Sequence, residues 1–518
     1  MQKIKLQQAK IAVIGAGTMG TGIAQLAAMN GHQVVLFDVD QQQAQHALTR
    51  LSLQLNQRVQ AGKMSAQLVA DIFAHLTVVE QLSALADVDV IIEAIVEKKE
   101  IKQALFQQLA DICSEQTIFA SNTSSISITA LAATIPHPER VIGLHFFNPA
   151  PVMKLVEIIS GLQSSAVIAE HLCQLMQSWN KVAVKAKSTP GFIVNRVARP
   201  YYAEAFRALE EHVTAPEQLD YLMRECGGFA MGPCELTDLI GQDVNFSVTQ
   251  SVYHAFFDEP RYRPSLLQQQ LVDAGCYGRK SQQGFYRYHQ GTMIPQYQPP
   301  SLKIAVSEQI KIVVKGAWLT CLGLIERLQQ CPDVELEFEA ARQDEILIDG
   351  LSLRLTRGES VELDYTQQKV VLMDWHCDWQ SAKSITVTAS PACSTFDLNQ
   401  INMLFTALNV IPIWSRDYPG FYVLRTIAML VNEACEAVLH QVASEQDIDL
   451  AMKYGVNYPQ GPFEWATKIG YHVILEILKN IYRIYGEERY RPSLYLQKKV
   501  ALGWPQNAGQ NQPLKVAG

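Results

Sequence analysis

The stretch IAVIGAGTMG at 11–20 constrains the fold more than any other, because it joins an apolar, strand-like run to a glycine-rich turn and then to a helical pattern. Gly15, Gly17 and Gly20 have the G-x-G-x-x-G spacing. In a strand-turn-helix unit the first glycine permits the tight turn, the second lets backbone approach a pyrophosphate, and the third lets the helix pack closely on the strand. Thr18 and Met19 open the helix, where free N–H groups and the positive dipole end favour phosphate. TGIAQLAAMNG reads as that helix, closed by Gly31, and HQVVLFDVD as a second strand ending at Asp38. Asp38 lies 18 positions beyond Gly20, where a carboxylate accepts hydrogen bonds from ribose hydroxyls and repels a 2′-phosphate. Glycine-rich turns without a ligand are common, but strand, turn, helix, strand and acid in this register point to a dinucleotide site. NAD is expected over NADP.

A second stretch, HFFNPAPVMKLVEII at 145–159, carries one imidazole and one carboxylate on either side of turn chemistry. If NPAP folds the two apolar runs into a hairpin, His145 and Glu157 meet, and the carboxylate orients the ring as in acid/base dyads. The alternative is a pair of ordinary structural polar groups.

At 518 residues the chain is long enough for three or four domains. With 48% hydrophobic and 18% charged residues it has the composition of a globular protein, and the net charge of −8 argues against a nucleic-acid surface. Ten scattered cysteines without a CxxC pair suggest reduced core residues and no metal site. No apolar run reaches membrane-spanning length, and the first strand begins too early for a signal peptide, so the cytoplasm and no membrane partner are expected.

Residues 41–75 read as a helical pair. Arg58 and Lys63 near its turn are either a solvated face or a basic grip on a phosphate-rich substrate tail. A buried strand ending near Glu97, a helix over 98–113 carrying Lys102, and a strand TIFASNTSS ending at Ser124 follow. Strand ends of this kind line the ligand crevice of an open α/β sheet, so Ser124 and Asn148 are candidates for the reacting centre. From Pro190 and Gly191 the texture becomes helical, with Asn195 one turn into a helix.

Through GAGTMG, EAIVE, FASNTSS, GLHFFNPAPVMKLVEII, TPGFIVNR, GGFAMGP and GRKSQQGFY, residues 8–290 resemble the L-3-hydroxyacyl-CoA dehydrogenases. The resemblance implies an NAD-binding Rossmann domain joined to a helical domain, with an acyl-CoA thioester bound between them. It implies His145 as catalytic base, Glu157 as its carboxylate partner, Ser124 in contact with substrate and nicotinamide, and Asn195 near the substrate carbonyl. Glu97, Lys102 and Asn148 match positions lining the cofactor and substrate cleft. A multifunctional hydratase-dehydrogenase is not expected, since the first Rossmann strand opens the chain.

The chain also repeats itself. TPGFIVNRVARPYYAEAFRALEE at 189–211 aligns with YPGFYVLRTIAMLVNEACEAVLH at 418–440, a shift of 229, and RYRPSLLQQQLV recurs as RYRPSLYLQKKV. Leu424 stands where Asn195 stands in the first copy, and the strand-rich stretch upstream lacks both G-x-G-x-x-G and HFFNP. The expected architecture is an α/β Rossmann domain at 1–188, an all-α domain at 189–290, a linker and helix at 291–334, a reduced Rossmann-like remnant at 335–416, a second, non-catalytic all-α copy at 417–505 and a tail at 506–518. One active site per chain is expected. The second helical copy either covers the first as an internal pseudo-dimer or hangs as a tethered tail domain, and further self-association stays open. The long duplicated form is similar to bacterial family members of phenylacetate catabolism, which implies 3-hydroxyadipyl-CoA as substrate. A 3-hydroxybutyryl-CoA or general β-oxidation enzyme and a non-catalytic NAD-binding protein are the alternatives.

Overall fold

The computed structural model describes residues 6–301 and 309–503. The expected tail at 506–518 and part of the expected linker lie outside them. The chain divides into two compact units, one built on residues up to Arg196 together with His440–Val456, the other on Val197–Leu439 and the residues from Asn457.

The first unit is organised by one sheet. Its strands are β1 (Ile11–Ile14), β2 (Val34–Phe37), β3 (Leu76–Val79), β4 (Val90–Glu93), β5 (Ile118–Ser121), β6 (Val141–Phe146), β7 (Leu155–Ser160) and β8 (Val182–Lys187), in the order β3-β2-β1-β4-β5-β6-β7-β8. All neighbours run parallel except β6 and β7, which form an antiparallel hairpin across the NPAP turn. Strands β1 and β4 to β6 are buried along their whole length, which explains their continuous apolar runs where an alternating pattern would mark a one-sided sheet. The sheet departs from expectation at two strand ends: β4 stops at Glu93, four residues before Glu97, and β5 stops at Ser121, three before Ser124. Both functional candidates therefore sit in the loops beyond the strand ends.

The second unit contains two similar helical sets. Helix Arg199–Glu210 packs against helix Val423–Leu439, the same segment one repeat later. The first copy is broken where the second is continuous: a four-residue helix, Val194–Val197, ends at Ala198, and Arg199–Glu210 starts afresh with Pro200 in its first turn. Proline suits a first turn but not a helix interior. The second copy carries Met429 at that position and runs through. Asn195 is thus the second residue of a short turn of helix, not one turn into a long one. The packing is reciprocal. Tyr262 donates from its hydroxyl to Glu433 at 2.7 Å, and Tyr490, its counterpart, donates to Glu204, the counterpart of Glu433, at 3.3 Å. The fully buried Arg425 guanidinium completes the cluster, 2.7 Å from Glu204.

The stretch expected as linker and helix at 291–334 is in part a sheet domain. Its alternating IKIVVK forms strand Ile310–Lys315, and helix Leu322–Gln329 crosses over to the parallel strand Val334–Glu339. They join a seven-stranded sheet that continues through Glu345–Ile348, antiparallel to both its neighbours, and then Leu351–Leu355, Val370–Met373, Ser384–Ala389 and Ile411–Trp414. Those last four pair parallel, antiparallel and parallel, as β5 to β8 do. The first helical domain also ends in a two-stranded hairpin, Arg287–His289 with Thr292–Ile294.

The copies also exchange helices. Within the first unit, Glu445–Gly455 packs on β7 and β8, with Lys187 donating its backbone N–H to Val442 at 2.8 Å. Within the second unit, the matching helix Pro216–Glu225 packs on strand Ser384–Ala389, where the Tyr221 hydroxyl lies 2.8 Å from that of Ser384. Each sheet is covered by a helix from the other copy.

Candidate active site

His145 and Glu157 face each other across the β6–β7 hairpin as a directly opposed pair. The ring Nδ1 lies 2.7 Å from Glu157 Oε2, and both residues are buried, at 6% and 1% exposure. Since a carboxylate only accepts, Nδ1 carries the proton and Nε2 is left as a free acceptor. The other carboxylate oxygen accepts the backbone N–H groups of Ile193 and Val194 at 3.0 and 3.1 Å. These donors open the short helix that holds Asn195, so the dyad and Asn195 share one anchor. Gly191 (φ 73°) and Phe192 (φ 47°) make the bend that turns these N–H groups inward. The rings of Phe147 and Phe192 flank the imidazole at centroid distances of 4.6 and 5.9 Å.

Ser124 lies in the loop after β5, which Glu97 organises. One Glu97 oxygen accepts the Thr123 hydroxyl at 2.5 Å, the Ser124 N–H at 3.0 Å and the Ser125 hydroxyl at 2.9 Å. Burial works to raise the Glu97 pKa, but the Lys102 ammonium 2.9 Å away and the hydroxyl donors outweigh it, so the group is held below the ordinary carboxylate range. Lys102 is itself 1% exposed and also pairs with the fully buried Glu93 at 2.8 Å. Lys102 and Glu97 thus act on the loop geometry, an arrangement that the resemblance to a cleft-lining role leaves unspecified. The Ser124 hydroxyl and the Asn195 amide, both half-buried, make no side-chain hydrogen bond among the described residues and are available to a ligand.

Three holding residues are missed by sequence reasoning. Asn122 accepts the Phe146 N–H at 2.8 Å and ties the β5 loop to the residue after His145. Glu93 is an acid inside an apolar run, the one clue to it. Lys181 donates to the carbonyls of Ala150 and Met153 at 2.6 and 2.7 Å and clamps the turn between His145 and Glu157. Burial alone lowers its pKa to about 8. Asn148 is exposed in that turn.

The glycine turn fits a dinucleotide. A Cβ on Gly15 would meet the Ala94 carbonyl at 2.5 Å, and one on Gly20 the Gly15 carbonyl at 1.8 Å, so both are required by packing. Gly17 has nothing within 4 Å of that position and starts helix Thr18–Met29 with no side-chain cap, leaving Thr18 and Met19 in the first turn of an uncovered helix N-terminus. Asp38, half-exposed beyond β2, accepts the Ala16 N–H at 2.7 Å through Oδ2 and the Asp40 N–H at 2.9 Å through Oδ1. It sets the turn and keeps lone pairs for ribose hydroxyls. Arg58 and Lys63 are exposed around the turn between helices Gln41–Gln60 and Ala66–His75, and the structure does not bring them to the dyad. No cluster of three or more potential metal ligands occurs among the described residues.

The sheet of the second unit repeats the hairpin with different chemistry. Strand Val370–Met373 leads to Asp374, whose N–H donates to Thr386 on the partner strand. Asp374 and Thr386 stand 229 residues after His145 and Glu157, the same shift as the helical copies. The fully buried Asp374 carboxylate accepts the backbone N–H groups of Tyr422, Val423 and Leu424 at 3.2, 2.9 and 3.0 Å. In this copy the acid that anchors the helix is on the histidine strand, and no imidazole stands in the pair.

Residues 10–189 match the family model described as the NAD binding domain of 3-hydroxyacyl-CoA dehydrogenase. The C-terminal domain of the same family matches twice, at 191–288 and 420–515, and the reduced Rossmann-fold domain of 3-hydroxybutyryl-CoA dehydrogenase matches 353–419. The chain is 46% identical to the 3-hydroxyadipyl-CoA dehydrogenase of Escherichia coli strain K12, over 95% of this chain and 97% of that protein. A probable 3-hydroxybutyryl-CoA dehydrogenase of Bacillus subtilis is 41% identical over 55% of this chain and 98% of its own. Among solved structures, one described as the 3-hydroxybutyryl-CoA dehydrogenase of E. coli K12 superposes with a TM-score of 0.86 at 43% identity, covering 96% of this chain and 98% of that one.

Proposed function

Because the chain belongs to the 3-hydroxyacyl-CoA dehydrogenase family, whose members are NAD-dependent, we propose that it oxidises a (3S)-3-hydroxyacyl-CoA to the 3-oxoacyl-CoA at the His145–Glu157 pair. The observation that carries this reading is the 2.7 Å contact from the ring Nδ1 to a carboxylate itself anchored by two backbone N–H groups. That contact sets the tautomer that leaves Nε2 to take the C3 hydroxyl proton. NAD, when bound, supplies the acceptor for the C3 hydride. Glu157 stabilises the imidazolium that forms, and Ser124 and Asn195 donate to the substrate oxygens as charge develops on them, each such donor being worth about 3 kcal/mol. Gly15, Gly17, Thr18, Met19, Gly20 and Asp38 hold the cofactor, with Glu97 and Lys102 shaping the loop beside it and Asn148 at the hairpin turn.

The second half supports the chemistry without performing it: Leu424 replaces Asn195, and Asp374 and Thr386 replace the dyad. The reciprocal Tyr262–Glu433 and Tyr490–Glu204 bonds favour an internal pseudo-dimer over a tethered tail domain. The proposed compartment is the cytoplasm; no helix among the described residues is long and apolar enough to cross a membrane.

For the acyl group we favour 3-hydroxyadipyl-CoA, on the 46% identity over nearly the full chain to the relative of that name. The solved E. coli structure described as a 3-hydroxybutyryl-CoA dehydrogenase favours the four-carbon substrate instead. Steady-state kinetics with both thioesters and with NAD and NADP separate the two. A higher kcat/KM for the dicarboxylate chain with NAD is expected, and a preference for the four-carbon substrate would replace the first assignment by the second.

A further inference from the structure

The helical half holds an open cavity of about 170 Å³ lined in part by guanidinium groups. Arg199, Arg261 and Arg489 are each at least nine-tenths buried. One carboxylate, Glu210, shares the lining and accepts from the Ser265 hydroxyl and the Leu267 N–H, and the three guanidinium groups are incompletely matched. Arg199 donates to the Thr249 hydroxyl at 2.8 Å and lies over the Tyr202 ring, neither of which is an anion, and its Nε is buried with no hydrogen-bond partner. Arg261 donates through Nη2 to the Arg491 carbonyl at 3.4 Å and stands 3.8 Å from Glu433, too far for a hydrogen bond, while its Nη1 is buried and unsatisfied. Arg489 is 3.7 Å from Glu487, whose oxygens are already engaged at 2.5 and 2.9 Å by Arg207. Exposed Arg263 stands in the lining and leaves the space open to solvent.

Buried guanidinium N–H groups without acceptors are costly and persist where something repays the cost. The second copy departs from the first at part of this lining. At the positions of Arg199, Thr249 and Gln268 it carries Ala428, Leu478 and Leu496, an apolar set. Arg261 and Arg263 by contrast recur as Arg489 and Arg491, so Arg199, Thr249 and Gln268 are what distinguish the first copy here.

We propose that this cavity is a binding site for a phosphate-class oxyanion. Planar guanidinium forks match phosphate oxygens in geometry and charge, and three converge here. At about 30 Å³ for each water's share of volume, the space holds one phosphate group with a few ordered waters. Its lining shares no residue with the dyad or the glycine turn, and it needs no catalytic step.

The test is thermal unfolding of the full chain in saturating NAD, so that the glycine turn is filled, with inorganic phosphate or glycerol 3-phosphate titrated against chloride at equal ionic strength. A saturable rise in Tm with phosphate and not with chloride is expected, since a ligand of the native state stabilises it by mass action. Response to both compounds means that the site reads the group however it is attached. Response to inorganic phosphate alone marks a free ion, and response to the ester alone a phosphorylated metabolite. Arg199→Gln should weaken the apparent affinity about tenfold or more, the loss typical of a charged hydrogen bond. Two milder variants guard against misfolding: Ala203→Leu fills the cavity and should remove the response, and Arg263→Gln, on the exposed side, should reduce it. An equal Tm rise with chloride, or an undiminished phosphate response in Ala203→Leu with native Tm retained, overturns the proposal.

Discussion

Asp374 stands one repeat of 229 residues after His145, at the same step of an equivalent hairpin, and keeps one part of the work that the first hairpin gives to its His145–Glu157 pair. In the first copy Glu157 both orients the imidazole and accepts the N–H groups at the head of the following helix. In the second copy Asp374 keeps only the second task. Both copies anchor a helix to the sheet through a buried acid, and only the first sets that acid against an imidazole.

Asp374 is expected to give the second unit a measurable pH dependence. Burial raises its pKa to about 6, against which four backbone N–H bonds act to lower it. A carboxyl that holds its proton more tightly in the folded state contributes stability that is full below its unfolded pKa of about 3.9 and is lost as pH rises through about 6. The difference of about two units corresponds to about 3 kcal/mol. Denaturant unfolding at pH 4 to 7 checks this: the stability of wild type relative to Asp374→Asn should fall as pH rises through that window. A difference that stays flat contradicts it.

The glycines should separate into two classes. Gly20→Ala puts a Cβ 1.8 Å from a main-chain oxygen and should destabilise the protein by about 3 kcal/mol or more, read as a lower unfolding midpoint. Gly17→Val meets open space, so the midpoint should hold while the NAD dissociation constant rises about tenfold or more. Equal effects of the two on NAD affinity at unchanged stability would remove the packing role assigned to Gly20.

Asp38→Ser should weaken NAD binding and narrow the preference over NADP, because it removes the carboxylate that accepts from ribose and repels a 2′-phosphate. Part of the loss will be structural, since Asp38 also holds the Ala16 N–H at 2.7 Å. The ratio of the two dissociation constants, by fluorescence titration, isolates the electrostatic part. An unchanged ratio would assign Asp38 to the turn alone.

What the sequence made legible was local. The glycine spacing, the acid after β2 and the turn between His145 and Glu157 each follow from residues within about twenty positions, and the hairpin pairing was inferable from the turn alone. Glu93, Asn122 and Lys181 were not legible, because their partners lie on other elements and a lone polar residue gives no sign of what it will meet. The reduced sheet extends beyond the 335–416 stretch that its sequence suggests, since IKIVVK at 310–315 finds its strand partners only in the fold. The repeated hairpin was present in the text as KVVLMDWHCD against RVIGLHFFNP, yet the exchange of every polar residue hid it. The reciprocal placement of Pro216–Glu225 and Glu445–Gly455 rests on contacts far apart in the chain, which no local pattern encodes.

The central claim is that the buried pair moves the substrate proton. NADH formation from a (3S)-3-hydroxyacyl-CoA by wild type, His145→Gln and Glu157→Gln, with NAD affinity measured in parallel, tests it most directly. The account predicts a fall in kcat of about 10²–10⁴ for His145→Gln, a large fall for Glu157→Gln, which loses the orienting acceptor, and NAD affinity unchanged in both. Turnover retained in His145→Gln with NAD still bound would contradict it.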